Sequence, residues 1–170
     1  WIDRWGLGVA AGLAAAALLP FLSKAYNIDD VTFLLQAQHM LSDPLHPTAF
    51  DMVFHGQVLR VSKSLVSRPV MATLLLPAVA LGGAEWLTHL IQLSLLLLSA
   101  LSTARLGERL GLSRREGAIA ALFVVAAPGV LAMAGSAMPD VPALCFLTLG
   151  IERLLAWRSE RRKTALFAAA

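Results

Sequence analysis

Long apolar runs separated by short polar ones dominate the pattern of this chain, and the length of each run is the first thing to judge. A helix that crosses the hydrocarbon core of a bilayer needs about 20 mainly apolar residues. Runs at residues 5–22, 86–103, 118–134 and 141–157 approach that length, and a fifth begins at Thr164. Residues 70–81 are apolar too, but too few to cross, and Gly82-Gly83 separates them from the next run. With Pro77 inside it, this segment reads as an interfacial or re-entrant helix. The one long polar stretch is residues 26–68. Its start predicts a helix, with Asn27 as N-cap and Asp30 at the acidic position of a capping box. Phe33, Leu34, Ala37 and Leu41 then share one face, while Gln36, Gln38 and His39 point elsewhere. Asp43-Pro44 and His46-Pro47 end that helix.

Composition turns this pattern into a class. The chain is 58% hydrophobic and 15% charged, far from the balance of a soluble domain. The expected fold is all-α: a polytopic transmembrane helical bundle with an amphipathic, juxtamembrane outer loop, forming one membrane domain without internal repeats. The chain opens at Trp1 without an initiator methionine, and its fifth apolar run stops short. It is therefore read as the N-terminal part of a longer membrane protein. In the first run Arg4 is offset by Asp3 and further spans follow, which favours an uncleaved anchor over a signal peptide. Cys145 stands alone in an apolar run as a packing residue, so there is no disulfide framework.

The net charge of +3 matters through its distribution. Arg105, Arg109, Arg114 and Arg115 cluster between the second and third runs, and Arg158, Arg161, Arg162 and Lys163 follow the fourth. The turn from Gly135 to Pro139 has no Lys or Arg. This alternation is the positive-inside pattern. It places both basic clusters and the N-terminus in the cytoplasm, and residues 26–68 and Asp140 outside it. The expected location is the plasma membrane, the inner membrane of a bacterium. Topology accounts for the basic residues, with membrane lipids as secondary partners. No nucleic-acid motif is present.

Acidic residues gathered on one side of a membrane protein are a functional-site hypothesis. Asp29 and Asp30 open the outer loop, and Asp140 returns to the same side. Each has a structural reading as well. Carboxylates in the first turn of a helix complement its dipole, and Pro139-Asp140-Val141-Pro142 is a good helix start. His39, His46 and His55 are spaced by seven and nine residues, which fits no standard zinc motif. His55 is kept as a candidate. His89, inside a run, is expected to hydrogen-bond between helices, and Glu85 marks the outer end of its span.

In order and spacing these elements resemble the lipid-linked sugar transferases of the GT-C fold, specifically the protein mannosyltransferase and aminoarabinose-transferase-like group (glycosyltransferase family 39 and relatives). That group carries an acidic pair just after its first span, and this chain reads NIDDVTFLLQAQHML, with Asp29 and Asp30 at the two acids. SRPVMATLLLPAVALGGAEWLTHL is similar to the family's stretch before the second span. SAMPDVPALCFLTLG is similar to the end of its third, with Asp140 at the acid. DPLHPTAFD looks like a variant of bacterial members. Two departures stand out: the second acid is Asp30 where Glu is usual, and the Pro-Pro-Leu element is reduced to Arg68-Pro69-Val70.

The resemblance implies a polyprenyl-phosphate sugar as donor, a lipid, glycan or protein acceptor, and inverting transfer at the extracytoplasmic face. Asp29, Asp30 and Asp140 are then the candidate catalytic residues, since attack on the anomeric carbon needs a carboxylate to take the acceptor's proton. Phosphate leaves with growing charge, so a cation must be held nearby. Arg60, Lys63, Arg68 and His55 are the candidate phosphate-binding residues. A divalent metal is the other means of neutralising that charge, and the residues do not assign one. The alternative function is a polytopic transporter or a non-catalytic membrane scaffold, in which charged groups would line a path near the midplane. Acids at the boundary of nearly charge-free spans favour surface chemistry.

Overall fold

The computed structural model describes residues 2–54, 56–63 and 69–160. In chain order they form α1 (Ile2–Leu18), α2 (Ile28–Ser42), a hairpin of β1 (Asp51–Phe54) and β2 (Gln57–Arg60), α3 (Pro69–Ala80), α4 (Glu85–Arg109), α5 (Arg114–Ala126), α6 (Pro128–Ala134) and α7 (Asp140–Glu160). Three-residue 3-10 turns follow α1 and β2.

The helix ends follow local chemistry. Asn27 and Asp30 form the expected capping box at the start of α2, and Asp43 before Pro44 is its C-cap. Ser113 and Glu116 do the same for α5. Hydrogen bonds from its Ser113 partner hold the Glu116 carboxyl below its ordinary value. Gly82 and Gly83 separate α3 from α4 with φ of +78° and +81°, a left-handed pair that only glycine adopts freely. Ala127 is extended, as the residue before a proline prefers, so α5 stops and α6 restarts at Pro128.

The polytopic transmembrane bundle is not what these residues build. Among the described residues one helix, α4, is long and apolar enough to cross a membrane. A second candidate exists only if α5 and α6, bent by 62° at Pro128, count as a single broken span. The expected first span is a helix of 17 residues ended near Pro20. The expected fourth is α7, whose Glu152 and Arg153 interrupt the apolar pattern. The fifth, from Thr164, lies outside the described residues. Nor is the chain wholly helical: Asp51–Arg60 pairs with itself as an antiparallel hairpin around Gly56.

Helix α4 is central, packing against α7, α5 and α1. Small residues make these approaches close: Ala10 and Ala14 of α1, Ala100 and Ala104 of α4, and Ala121 of α5 are all buried in one cluster with Leu96 and Val125. A second cluster joins Phe33 and Ala37 of α2 to Met71, Ala72 and Leu75 of α3, and includes Ala137 from the turn before α7. On α2 the expected faces are partly reversed. Gln36 is buried and Leu41 is 54% exposed.

At the crossing of α4 and α5 a Cβ on Gly117 would lie 2.7 Å from the Ala104 carbonyl oxygen. Backbone cannot yield as a side-chain tip can. Gly117→Ala is therefore expected to destabilise the protein by about 1–3 kcal/mol, the usual effect of overpacking. Thermal unfolding would show it, and an unchanged midpoint would mean that the two helices separate freely.

Candidate functional site

The candidate site is the end of the molecule where α4 begins, and a single turn, residues 135–140, organises it. Pro20 ends α1, and the chain then runs across the start of α4. There His89 Nδ1 donates to the Leu22 carbonyl at 3.0 Å and the Glu85 carbonyl at 2.9 Å. Carbonyls only accept, so Nδ1 carries a proton. Tyr26 stacks on the His89 ring, donates to the Gly83 carbonyl at 3.1 Å, and shares a 2.9 Å bond with Thr88 Oγ1. Burial is the main reason its phenol lies above the ordinary range. The N-terminus of α2 is thereby fixed beside α4.

Three side chains then reach the turn. Lys24 Nζ donates to the Gly135 carbonyl at 2.8 Å. Gln92 Nε2 donates to the Met138 carbonyl at 2.8 Å. The Asp30 carboxylate takes the Ala137 N–H on Oδ1 at 2.9 Å and the Asn27 N–H on Oδ2 at 2.9 Å. Asp30 is only 1% exposed. Its charge is offset by these two dipoles and by the partial positive end of α2.

The three acids therefore have different positions. Asp30 is buried and engaged. Asp29, its neighbour, is exposed, and among the described residues nothing binds its carboxylate. Asp140, three residues beyond Ala137, is exposed in the first turn of α7 and likewise unengaged. Docking of Asp30 brings the acidic start of α2 to the turn that leads into Asp140.

Helix α6 has a groove on each of two opposite faces. One, of about 340 Å³, is lined by Leu18, Phe21, Leu131 and Ala132, with Lys24 and Gly135 at its end. The other, about 430 Å³, is lined by Val130, Met133, Val141 and Leu144 together with Asp140. Both are mostly apolar, and each has one charged side chain.

The remaining candidates lie elsewhere. Arg60 pairs with Asp51 across the hairpin at 3.2 Å. Lys63 is exposed in the following 3-10 turn. His55 and Arg68 lie outside the described residues. His39 and His46 bind one another's segment and Asp43. Among the described residues no group of three His, Cys, Asp or Glu side chains is arranged to hold a metal ion.

Lys24 and Gln92 were not among the residues singled out from sequence. Lys24 had a signal, being the only Lys or Arg between Arg4 and Arg60. Gln92 had a weaker one, as an amide inside an apolar run.

Separating the two neighbouring acids is a test of this geometry. Asp30→Ala strands two N–H groups and is expected to cost about 2–4 kcal/mol of stability, since each charged hydrogen bond contributes roughly 1.5–3 kcal/mol. Asp29→Asn should stay within about 0.5 kcal/mol of the parent, like other exposed substitutions. Denaturant unfolding measures both, and equal losses would contradict the division of roles. No family model matches the chain, and no curated protein or solved structure matches it.

Proposed function

We propose that this chain is part of a membrane-anchored glycosyltransferase that takes its sugar from a polyprenyl phosphate at the extracytoplasmic face. Helix α4 crosses the bilayer, with its basic end in the cytoplasm and its Glu85 end outside. The observation that carries the reading is the docking of Lys24 and Asp30 on the turn that leads into Asp140, with an apolar groove running up to Lys24. A lipid-phosphate donor needs that combination of apolar track, cation and carboxylate. The likeness of the acidic pair and of the Met-Pro-Asp sequence to the family 39 group agrees with it.

In this reading the prenyl tail follows the groove between α1 and α6. The phosphate meets Lys24, whose ammonium keeps donors beyond the one given to Gly135. Asp29 accepts the proton of the acceptor hydroxyl or amine as its lone pair attacks the anomeric carbon. The carbon–oxygen bond to phosphate breaks, its electron pair stays on phosphate, and the configuration inverts. Lys24 stabilises the charge that develops on the leaving group. Asp30 holds Asp29 in place, while Asp140, in the groove on the other face of α6, is left for the acceptor.

The test is transfer from a labelled polyprenyl-phosphate sugar in membranes containing the whole protein. Asp29→Asn is expected to lower turnover by about 100-fold or more, the range of general-base catalysis, with expression unchanged. Lys24→Gln should mainly raise the KM for the donor. Near-normal turnover in Asp29→Asn would return Asp29 to a role at the helix dipole.

A further inference from the structure

The opposite end of the molecule carries a second charged feature that glycosyl transfer does not use. The last turns of α4 and α7 enclose an open cleft of about 860 Å³, lined by Arg105, Glu108, Arg109, Arg153, Leu155 and Arg158, with Ser159 at its edge. Its arginines are held in part from beneath. Glu152 of α7 is fully buried; its Oε1 takes the Arg109 Nε–H at 2.6 Å, and its Oε2 pairs with Arg153. Arg105 and Arg158 have no partner among the described residues, and both are exposed. Four guanidinium groups thus face two carboxylates, Glu108 and Glu152, which leaves the cleft with net positive charge and Arg105 and Arg158 as its guanidinium groups without a partner among the described residues.

What lies beside the cleft decides what it fits. Along α7, Leu147, Ile151 and Leu154 are 63%, 41% and 49% exposed. They recur at helical spacing on one face. Arg158 is the next position of that stripe, so an apolar track ends at an unpaired guanidinium. A soluble anion needs the cation but not the track. An acyl chain on the track puts its own headgroup at Arg158.

We propose that the arginine cleft binds the phosphate of an anionic phospholipid, with an acyl chain lying along Leu147, Ile151 and Leu154. Guanidinium groups suit this ligand because their planar donors grip two phosphate oxygens at once. Glu152 takes no part in the binding. It fixes Arg109 and Arg153 so that Arg105 and Arg158 close on the phosphate from the two helices. The site is independent of the transfer reaction and stands whether or not Asp29 is a base.

The experiment uses the whole protein in neutral detergent, titrated with phosphatidylglycerol or phosphatidylcholine, with the thermal midpoint as readout. Phosphatidylglycerol is expected to raise the midpoint at concentrations where phosphatidylcholine does not. The double variant Arg105→Gln/Arg158→Gln should weaken its apparent affinity by about 10- to 30-fold, from the attraction of two cations near an anionic headgroup. Arg114→Gln/Arg115→Gln, basic but outside the cleft, should change it less than about twofold. Asp29→Asn should leave it unaltered, which separates this site from the reaction at the other end. Equal response to the two lipids, or equal loss in the two double variants, would overturn the cleft as the site. Inorganic phosphate matching the effect of phosphatidylglycerol would overturn the lipid as its ligand.

Discussion

One buried carboxylate holds together segments 107 residues apart in the chain. Asp30 accepts from its own N-cap and from Ala137, so the start of α2 and the turn before α7 share a single acceptor group. The apolar contacts enforce the same register, because the Ala137 side chain sits among Phe33, Met71 and Leu75. Polar and apolar partners therefore agree about where the turn lies. Lys24 and Gln92 add a cation and an amide to the same few residues. The bond works because its surroundings are dry: in a low dielectric an unmatched carboxylate is very costly, and a matched one is held firmly.

The far end of α4 solves the same problem with other chemistry. Asp30 is satisfied by N–H dipoles and leaves a negative charge at its end of the molecule. Glu152 is satisfied by two guanidinium groups and leaves a positive one. Helix α4 runs between them, with Glu85 in its first turn and Arg109 in its last, the arrangement its macrodipole favours. The molecule is electrically polar along its longest helix, and the two candidate sites occupy opposite poles.

Features set by near neighbours in sequence could be read from it. The Asn27–Asp30 capping box, the helix stop at Asp43-Pro44, the break at Gly82-Gly83 and the helix start at Asp140 each depend on a few adjacent residues. Features set by distant contacts could not. Gln36 reads as a polar surface position, yet the packing of α2 on α3 buries it. Asp29 and Asp30 are the same residue type side by side; the capping box with Asn27 engages Asp30 locally, but its second bond comes from Ala137, which no local pattern announces. Glu152 and Arg153 lay in plain view inside an apolar run. Their meaning depends on Arg109, 43 residues away. Counting apolar residues in a run overlooked that pair, and with it the interruption that takes α7 out of the helices apolar enough to cross a membrane.

The buried position of Glu152 also bears on how the protein is put together. Arg153, its immediate neighbour, accompanies the carboxylate from the moment α7 exists. Arg109 belongs to α4. A buried acid with half its compensation is strongly unfavourable, so α7 settles into its final place only against an α4 already in position. The requirement is mutual: without Glu152 in place, Arg109 in turn loses the carboxylate that holds its guanidinium at the helix end.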